Sequence, residues 1–304
     1  MNTQASERLV SICCLAYNHE SFIRLTLDGF VNQRTNFSFE IIVHDDFSTD
    51  DTAKIIREYE VNYPDLFRVI RQTKNQYSQG IKPIFNFVFP AARGKYIALC
   101  EGDDYWTDPF KLQKQVDFLE NNSEYVLSFH PVQIILPTGE IIADNITNVP
   151  SYHEDFISLA LHGNYIHTPS VIFKNIIRQF PSNINESPVG DYFLYMILAQ
   201  YGKIKRMDDA MAIYRFGVGV HSTKTKTKQK LDLIKTLKLL QQNINHPQVN
   251  EILNLRITKL RLETAPESIH YLANLSEIYS LKNLKYQLSI FDSFKLLFLK
   301  LFRQ

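Results

Sequence analysis

The chain has 304 residues, a formal net charge of +1, 45% hydrophobic and 21% charged residues, which fits one large globular domain or a catalytic domain with an appendage. So even a charge balance removes any global electrostatic case for binding nucleic acid. The three cysteines, Cys13, Cys14 and Cys100, show no CxxC or Cys/His spacing, which argues against zinc or a disulfide framework and for reduced thiols.

The N-terminal MNTQASER is polar and lacks the apolar core of a signal peptide. No apolar stretch reaches the roughly 18–20 residues that cross a bilayer, so a cytoplasmic protein is expected. Residues 10–16 (VSICCLA) read as a buried parallel strand, with Cys13 and Cys14 on opposite faces. The strand ends at Tyr17-Asn18-His19-Glu20. Residues 21–31 read as a helix. Residues 39–43 (FEIIV) form a second strand that runs into His44-Asp45-Asp46, and Ser48 or Thr49 is placed to cap the helix after it. Residues 67–71 form a third strand and 84–92 a helix. Residues 96–100 (YIALC) form a fourth strand that runs into Glu101-Gly102-Asp103-Asp104. Further on, 125–135 and 140–143 flank Pro137-Thr138-Gly139 as a hairpin, and 191–201 is an amphipathic helix. Residues 203–214 hold a last strand with its lead-in, and from about 231 onward Leu/Ile/Lys periodicity predicts a string of helices.

Strands alternating with helices imply a parallel sheet covered on both faces, with ligands beyond the carboxyl ends of the strands. Three strands end there in polar or acidic residues: Tyr17/Asn18, Asp45/Asp46 and Asp103/Asp104. Adjacent carboxylates repel one another, and a hard divalent cation such as Mg2+ or Mn2+ removes the repulsion. A lone Asp-Asp pair is more often a solvated turn or a helix cap, but two pairs at one predicted edge favour a site. Asp46 is placed to accept from a nucleobase N–H or a ribose hydroxyl, or to cap the helix near Ser48. Tyr17 is placed to stack on a base or to sit half-buried at the strand end. Asp191, after Pro188-Val189-Gly190, starts a helix and is either its cap or a functional acid. Arg215 precedes Gly217 and Gly219, where a loop could fold over a diphosphate. His221 could complete a metal shell or touch phosphate. The Lys224/Lys226/Lys228/Lys230 run reads as a solvated stretch or a closing lid. GxGxxG, GxxxxGK[ST] and GxSxG are all absent, which removes the main support for dinucleotide oxidoreductases, P-loop NTPases and serine hydrolases.

The segments SICCLAYNHESFIRLTLDGFVNQ, FEIIVHDDFSTDDT, GKYIALCEGDDYWTDPFKLQKQ, GDYFLYMILAQYGKI and AMAIYR, in this order and spacing, resemble the family 2 glycosyltransferases over roughly residues 8–222. The resemblance implies an inverting enzyme of GT-A fold, the Rossmann-like mixed α/β sheet of nucleotide-diphospho-sugar transferases flanked by helices. It implies a donor nucleotide held by Ala16, Tyr17, Glu20 and Asp46, with Asp103 and Arg215 at its diphosphate. It assigns Mn2+ or Mg2+ to Asp103 and Asp104, with Glu101 where many members carry Asp, and His221 as a further ligand. Asp191 matches the general base. The donor would be a nucleotide-diphosphate sugar, with UDP the commonest base, and the acceptor a saccharide or a lipid-linked saccharide in cell-surface polysaccharide or lipopolysaccharide assembly. The expected division is a glycosyltransferase domain over 1–228 and a helical extension over 229–304. Within 289–304, Phe291, Phe294, Leu297, Phe298, Leu301 and Phe302 share one helical face. They predict either peripheral contact with the inner face of an anionic membrane or docking on protein. Two other functions fit less well. A sugar-nucleotide pyrophosphorylase needs a Gly-rich phosphate loop after the first strand, which AYNHESF does not supply. A non-catalytic sugar-nucleotide-binding protein would have no use for Asp191.

Overall fold

The computed structural model describes residues 9–219 and 223–264; His221 and the 289–304 segment lie outside them. Contacts group Met1–Leu262 into one compact unit and Glu263–Gln304 into another, and the fold belongs to the first. In chain order it runs β1 (Val10–Ala16), α1 (Ile23–Val31), β2 (Phe39–Asp45), α2 (Thr52–Asn62), β3 (Phe67–Arg71), α3 (Phe89–Ala91), β4 (Tyr96–Leu99), β5 (Tyr105–Trp106) and α4 (Lys111–Asn121). It continues with β6 (Tyr125–Phe129), β7 (Gln133–Ile135), β8 (Ile141–Ala143), α5 (Phe156–His162), β9 (Ile172–Lys174), α6 (Gly190–Leu198), β10 (Lys203–Arg206), β11 (Ala212–Arg215), α7 (Lys226–Gln241) and α8 (Pro247–Thr264).

The main sheet is mixed, in the order β10-β6-β9-β4-β1-β2-β3. The pairs β4-β1, β1-β2, β2-β3 and β10-β6 are parallel, whereas β9 runs antiparallel to both neighbours. β2 and β4 are buried throughout; β4 is an unbroken apolar run, while in β2 the buried Glu40 accepts Ser11 Oγ–H of β1 at 2.7 Å. Alternation along β1 sends Cys14 into a core with α1, α2 and α4, and Cys13 into the opposite core with Phe85, α5, α6, α7 and α8. All three thiols are free and buried.

A second sheet, β5-β11-β7-β8, stands beside the first. It changes two predicted elements. The 125–135 stretch divides at His130-Pro131 into β6 and β7, which belong to different sheets, because proline has no N–H for a central ladder. The 203–214 stretch divides in the same way into β10 and β11. The expected hairpin around Gly139 forms as β7 with β8. The expected 84–92 helix forms as a π-helix over Ile84–Val88 continued by α3. The expected boundary at 228/229 falls inside α7, whose Ile234, Leu237 and Leu240 are part of the same core as α6.

Candidate active site

Two loops close the carboxyl ends of β1 and β2, and they are tied to each other. Asn18 and Phe47 take left-handed backbone at φ 54 and φ 67, a conformation that non-glycine residues hold only when their surroundings enforce it. The enforcement is reciprocal. Asn18 N–H donates to Ser48 Oγ at 3.0 Å and Thr49 N–H to Asn18 Oδ1 at 2.8 Å. His19 N–H donates to Thr52 Oγ1 at 2.7 Å, and Asp51 N–H to Glu20 Oε2 at 2.9 Å. Beyond these loops and the end of β4 lies a cleft of about 1340 Å3.

The loop after β4 supplies the acidic part of the cleft. One oxygen each from Glu101, Asp103 and Asp104 lies within 4.8 Å of the others. Asp103 lines the cleft. Asp104 is 1% exposed; its Oδ1 accepts Arg215 N–H at 2.7 Å, while Oδ2 is buried without a partner among the described residues. Burial, and then the neighbouring Asp103 and Asp191 charges, push the Glu101 carboxyl up to about 8. Burial and Asp103 likewise drive Asp104 well above the carboxylate range. Three crowded carboxylates, one with an orphaned buried oxygen, form an all-oxygen donor set that could hold Mn2+ or Mg2+. Gly102 is needed for the packing, since a Cβ there would sit 2.7 Å from His19 Nδ1 and 2.9 Å from Ile23 Cδ1.

The residues expected at the donor nucleotide fall into two groups. Ala16, Tyr17, Asp46 and Asp103 line the cleft, Tyr17 as a residue 44% exposed. Asp46 does not cap α2: its two oxygens accept Gln76 N–H at 2.8 Å and Tyr77 N–H at 3.0 Å. It thereby holds the turn at Tyr77, another exposed aromatic on the cleft wall. Asp45 binds Ser48 instead, and Asp50 Oδ1 receives Thr52 N–H at 3.0 Å, the bond expected of Ser48 or Thr49. Glu20 and Arg215 are engaged away from the cleft lining. Glu20 joins the two loops, and Arg215 stacks 4.3 Å over the Phe22 ring while its Nε donates to the Asp103 carbonyl at 2.9 Å.

Asp191, in the first turn of α6, is not a helix cap. It lines the cleft, and its Oδ2 accepts Asn164 Nδ2 at 2.8 Å. Four other residues on the wall went unnoticed in the sequence as site residues: His19, Lys82, Asn164 and Arg256. Lys82 Nζ lies 4.9 Å over the Tyr77 ring. Burial and then the Lys224 ammonium hold it below its usual range, against the pull of Asp191. Only His19, beside Tyr17 at a strand end, carried a local signal. In the basic run, Lys224 and Lys228 are paired with Asp232 at 2.8 and 3.1 Å, and Lys224, Lys226 and Lys230 face the cleft. No described helix is long and apolar enough to cross a membrane.

Comparison with known proteins gives the following. The sequence signature described as "Glycosyl transferase family 2" matches residues 11–180. An uncharacterised protein of Mycobacterium tuberculosis is 42% identical over 208 residues, 68% of this chain and 58% of that protein, so the chain spans little more than half of its relative. An Escherichia coli relative named "UDP-Glc:alpha-D-GlcNAc-diphosphoundecaprenol beta-1,3-glucosyltransferase WfaP" is 37% identical over 117 residues, 38% of this chain and 43% of that one. Among solved structures, S. aureus TarS in complex with UDP-GlcNAc superposes with a TM-score of 0.60 at 17% identity, covering 92% of this chain and 76% of that one. The mannosyltransferase PcManGT of Pyrobaculum calidifontis, in complex with GDP-Man and Mn2+, gives 0.58 at 16% identity, covering 94% and 82%. These likenesses establish the GT-A fold.

Proposed function

The chain belongs to glycosyl transferase family 2, and we propose that it transfers a sugar from a nucleotide-diphosphate donor, a UDP-sugar first among candidates, to an acceptor hydroxyl with inversion. The observation that carries the reading is the meeting of Glu101, Asp103 and the Asn164-held Asp191 on one cleft wall. Ala16, Tyr17 and the Tyr77 turn held by Asp46 would receive the nucleotide. Glu101, Asp103 and Asp104 would hold Mn2+ or Mg2+, which supplies charge neutralisation for the departing diphosphate.

This chain's own residues would do the rest. Asn164 fixes Oδ2 of Asp191, which leaves Oδ1 to accept the proton of an acceptor hydroxyl as it attacks. The loops joined through Asn18, Ser48 and Glu20 give the donor end a rigid frame, so that binding aligns rather than remodels. Work on the cytoplasmic side, on a saccharide or lipid-linked saccharide of the cell surface, belongs to the same proposal. The E. coli relative named for a diphosphoundecaprenol-linked substrate supports that acceptor class. The test is a panel of UDP-, GDP- and dTDP-sugars with Mn2+, read as nucleoside diphosphate released. Release from one or a few donors is expected. Absence of both binding and release across the panel would overturn the reading.

A further inference from the structure

We propose that the cleft extends past Asp191 into a subsite for an oxyanion carried by the acceptor, a phosphate or a carboxylate, received by Arg256. This rests on the reading of Asp191 as the acceptor-side base. Arg256 comes from α8, outside the residues matched by the family signature, yet it lines the same cleft as Asp191. Its Nη1 donates to the Ala160 carbonyl at 2.7 Å and to the Tyr192 hydroxyl at 2.6 Å. Its Nη2 lies 2.7 Å from the position a Cβ on Gly163 would take. Tyr192 follows Asp191 in the chain, and Gly163 precedes Asn164, the partner of Asp191. The guanidinium therefore contacts the chain neighbour of each half of the Asp191–Asn164 pair.

Three features make this seat a receptor and not only a clamp. The anchoring uses Nη1 alone, while a guanidinium presents a planar fork suited to carboxylate and phosphate. Among the described residues, no carboxylate lies within ion-pair distance of Arg256, so a half-buried charge stands at the cleft wall without a counter-ion. Gly163, at φ +89, keeps that wall open, and a side chain there would press on Nη2. The assignment to the acceptor follows from position. Arg256 shares the cleft with Asp191 and is bound to Tyr192, the residue after it, while the donor diphosphate belongs with Glu101 and Asp103. A cleft of about 1340 Å3 also exceeds the roughly 300–1,000 Å3 of a single-ligand site, which leaves room for a second molecule.

The test uses the full chain saturated with UDP and Mn2+, so that the donor end is filled. Methyl N-acetylglucosaminide, N-acetylglucosamine 1-phosphate and methyl glucuronide are then titrated by calorimetry. The anionic probes should bind about tenfold or more tighter than the neutral one, the worth of a charge-assisted pair. Arg256→Gln should reduce the ratio to near unity with UDP affinity unchanged. Preference for the phosphate over the uronate, or the reverse, identifies the source of the oxyanion. Equal binding of charged and neutral probes by the wild type overturns the proposal, and so does a folded Arg256→Gln protein that keeps the preference. Should that variant fail to fold, the wild-type guanidinium 15N signal of Arg256 decides. It should move with the anionic probes and not with the neutral one, and a static signal overturns the proposal. Failure of UDP itself to bind would instead count against the donor reading.

Discussion

Asp191→Asn separates proton transfer from binding at the site. The amide is the same shape, and its oxygen can still accept from Asn164 Nδ2, now 2.8 Å from Oδ2, so the side chain should keep its place. What disappears is the carboxylate proposed as proton acceptor. A positioned base contributes about 100- to 10,000-fold, or roughly 3–5.5 kcal/mol of barrier, and kcat for transfer should fall by that factor. Donor affinity has a predicted sign as well. The Asp191 charge is among those that raise the Glu101 carboxyl, so it opposes the gathering of further negative charge nearby. Its removal should leave UDP binding in Mn2+ unchanged or slightly tighter. The assay is acceptor-dependent turnover beside UDP calorimetry on the same preparation. A tenfold loss of UDP affinity with an unaltered melting curve, or transfer within threefold of wild type, would refute the assignment.

The other perturbations are simpler. EDTA should abolish nucleotide release, and Glu101→Gln should lower it by about 100-fold, of the order seen when one group stabilising a developing charge is lost; full activity in protein shown by mass spectrometry to be metal-free would sink the acidic-cluster reading. Asp46→Asn leaves one carbonyl oxygen for the two N–H groups of Gln76 and Tyr77. It should cost about 1.5–3 kcal/mol for a charge-assisted bond and weaken nucleotide affinity, and an unchanged melting temperature would remove the anchoring role. Lys111 is fully buried against the Trp106 ring, and burial pushes its ammonium down to about 7. A folded value below the unfolded one means that the unfolded chain binds more protons above pH 7, so this group makes the wild type more stable as pH rises from there. Lys111→Met removes that dependence, and its stability relative to wild type should decline by about 2 kcal/mol between pH 7 and pH 9; parallel urea midpoints across that range would contradict the buried-ammonium account.

The strand tips were legible because a parallel strand buried on both faces is apolar apart from polar groups paired inside the sheet, such as Ser11 with Glu40, so a run of successive polar residues marks where it leaves the core. That is how β1, β2 and β4 delivered Tyr17, Asp46 and Asp103 to one edge. Shorter elements carry no such mark. β5 has two residues and β9 has three, and each is held by partners far away in sequence. The helices α4 and α5 went unread, the first because its polar face hides a buried Lys111–Gln115 bond of 2.8 Å. The position of Arg215 before two glycines suggests reach over a diphosphate. What fixes its side chain is the Asp103 carbonyl, 112 residues away in sequence, and the Phe22 ring, further still. Asn164 and Arg256 carry no local signal in sequence, and only the fold brings Asn164 to Asp191 and Arg256 to Tyr192 beside it in the chain.

The reversed strand explains why a site can form there at all. β9 lies antiparallel between β4 and β6, with Ile172 opposite Ala98 and Lys174 opposite Tyr96. The chain therefore enters β9 at the same edge where β4 ends. The segment before it, carrying Asn164 and His167, is delivered beside Glu101 and Asp103. Two bonds hold that approach: Leu99 N–H to the Val171 carbonyl at 3.3 Å and Trp106 Nε1 to the Pro169 carbonyl at 2.8 Å. A parallel strand in the same slot would bring its entry to the opposite edge and leave the end of β4 facing Lys174 and the loop beyond. The direction of three residues thus decides whether the acidic cluster of Glu101 and Asp103 shares a cleft with the wall that carries Asn164 and Asp191, which is why that wall depends on long-range pairing while the strand tips can be read from local sequence.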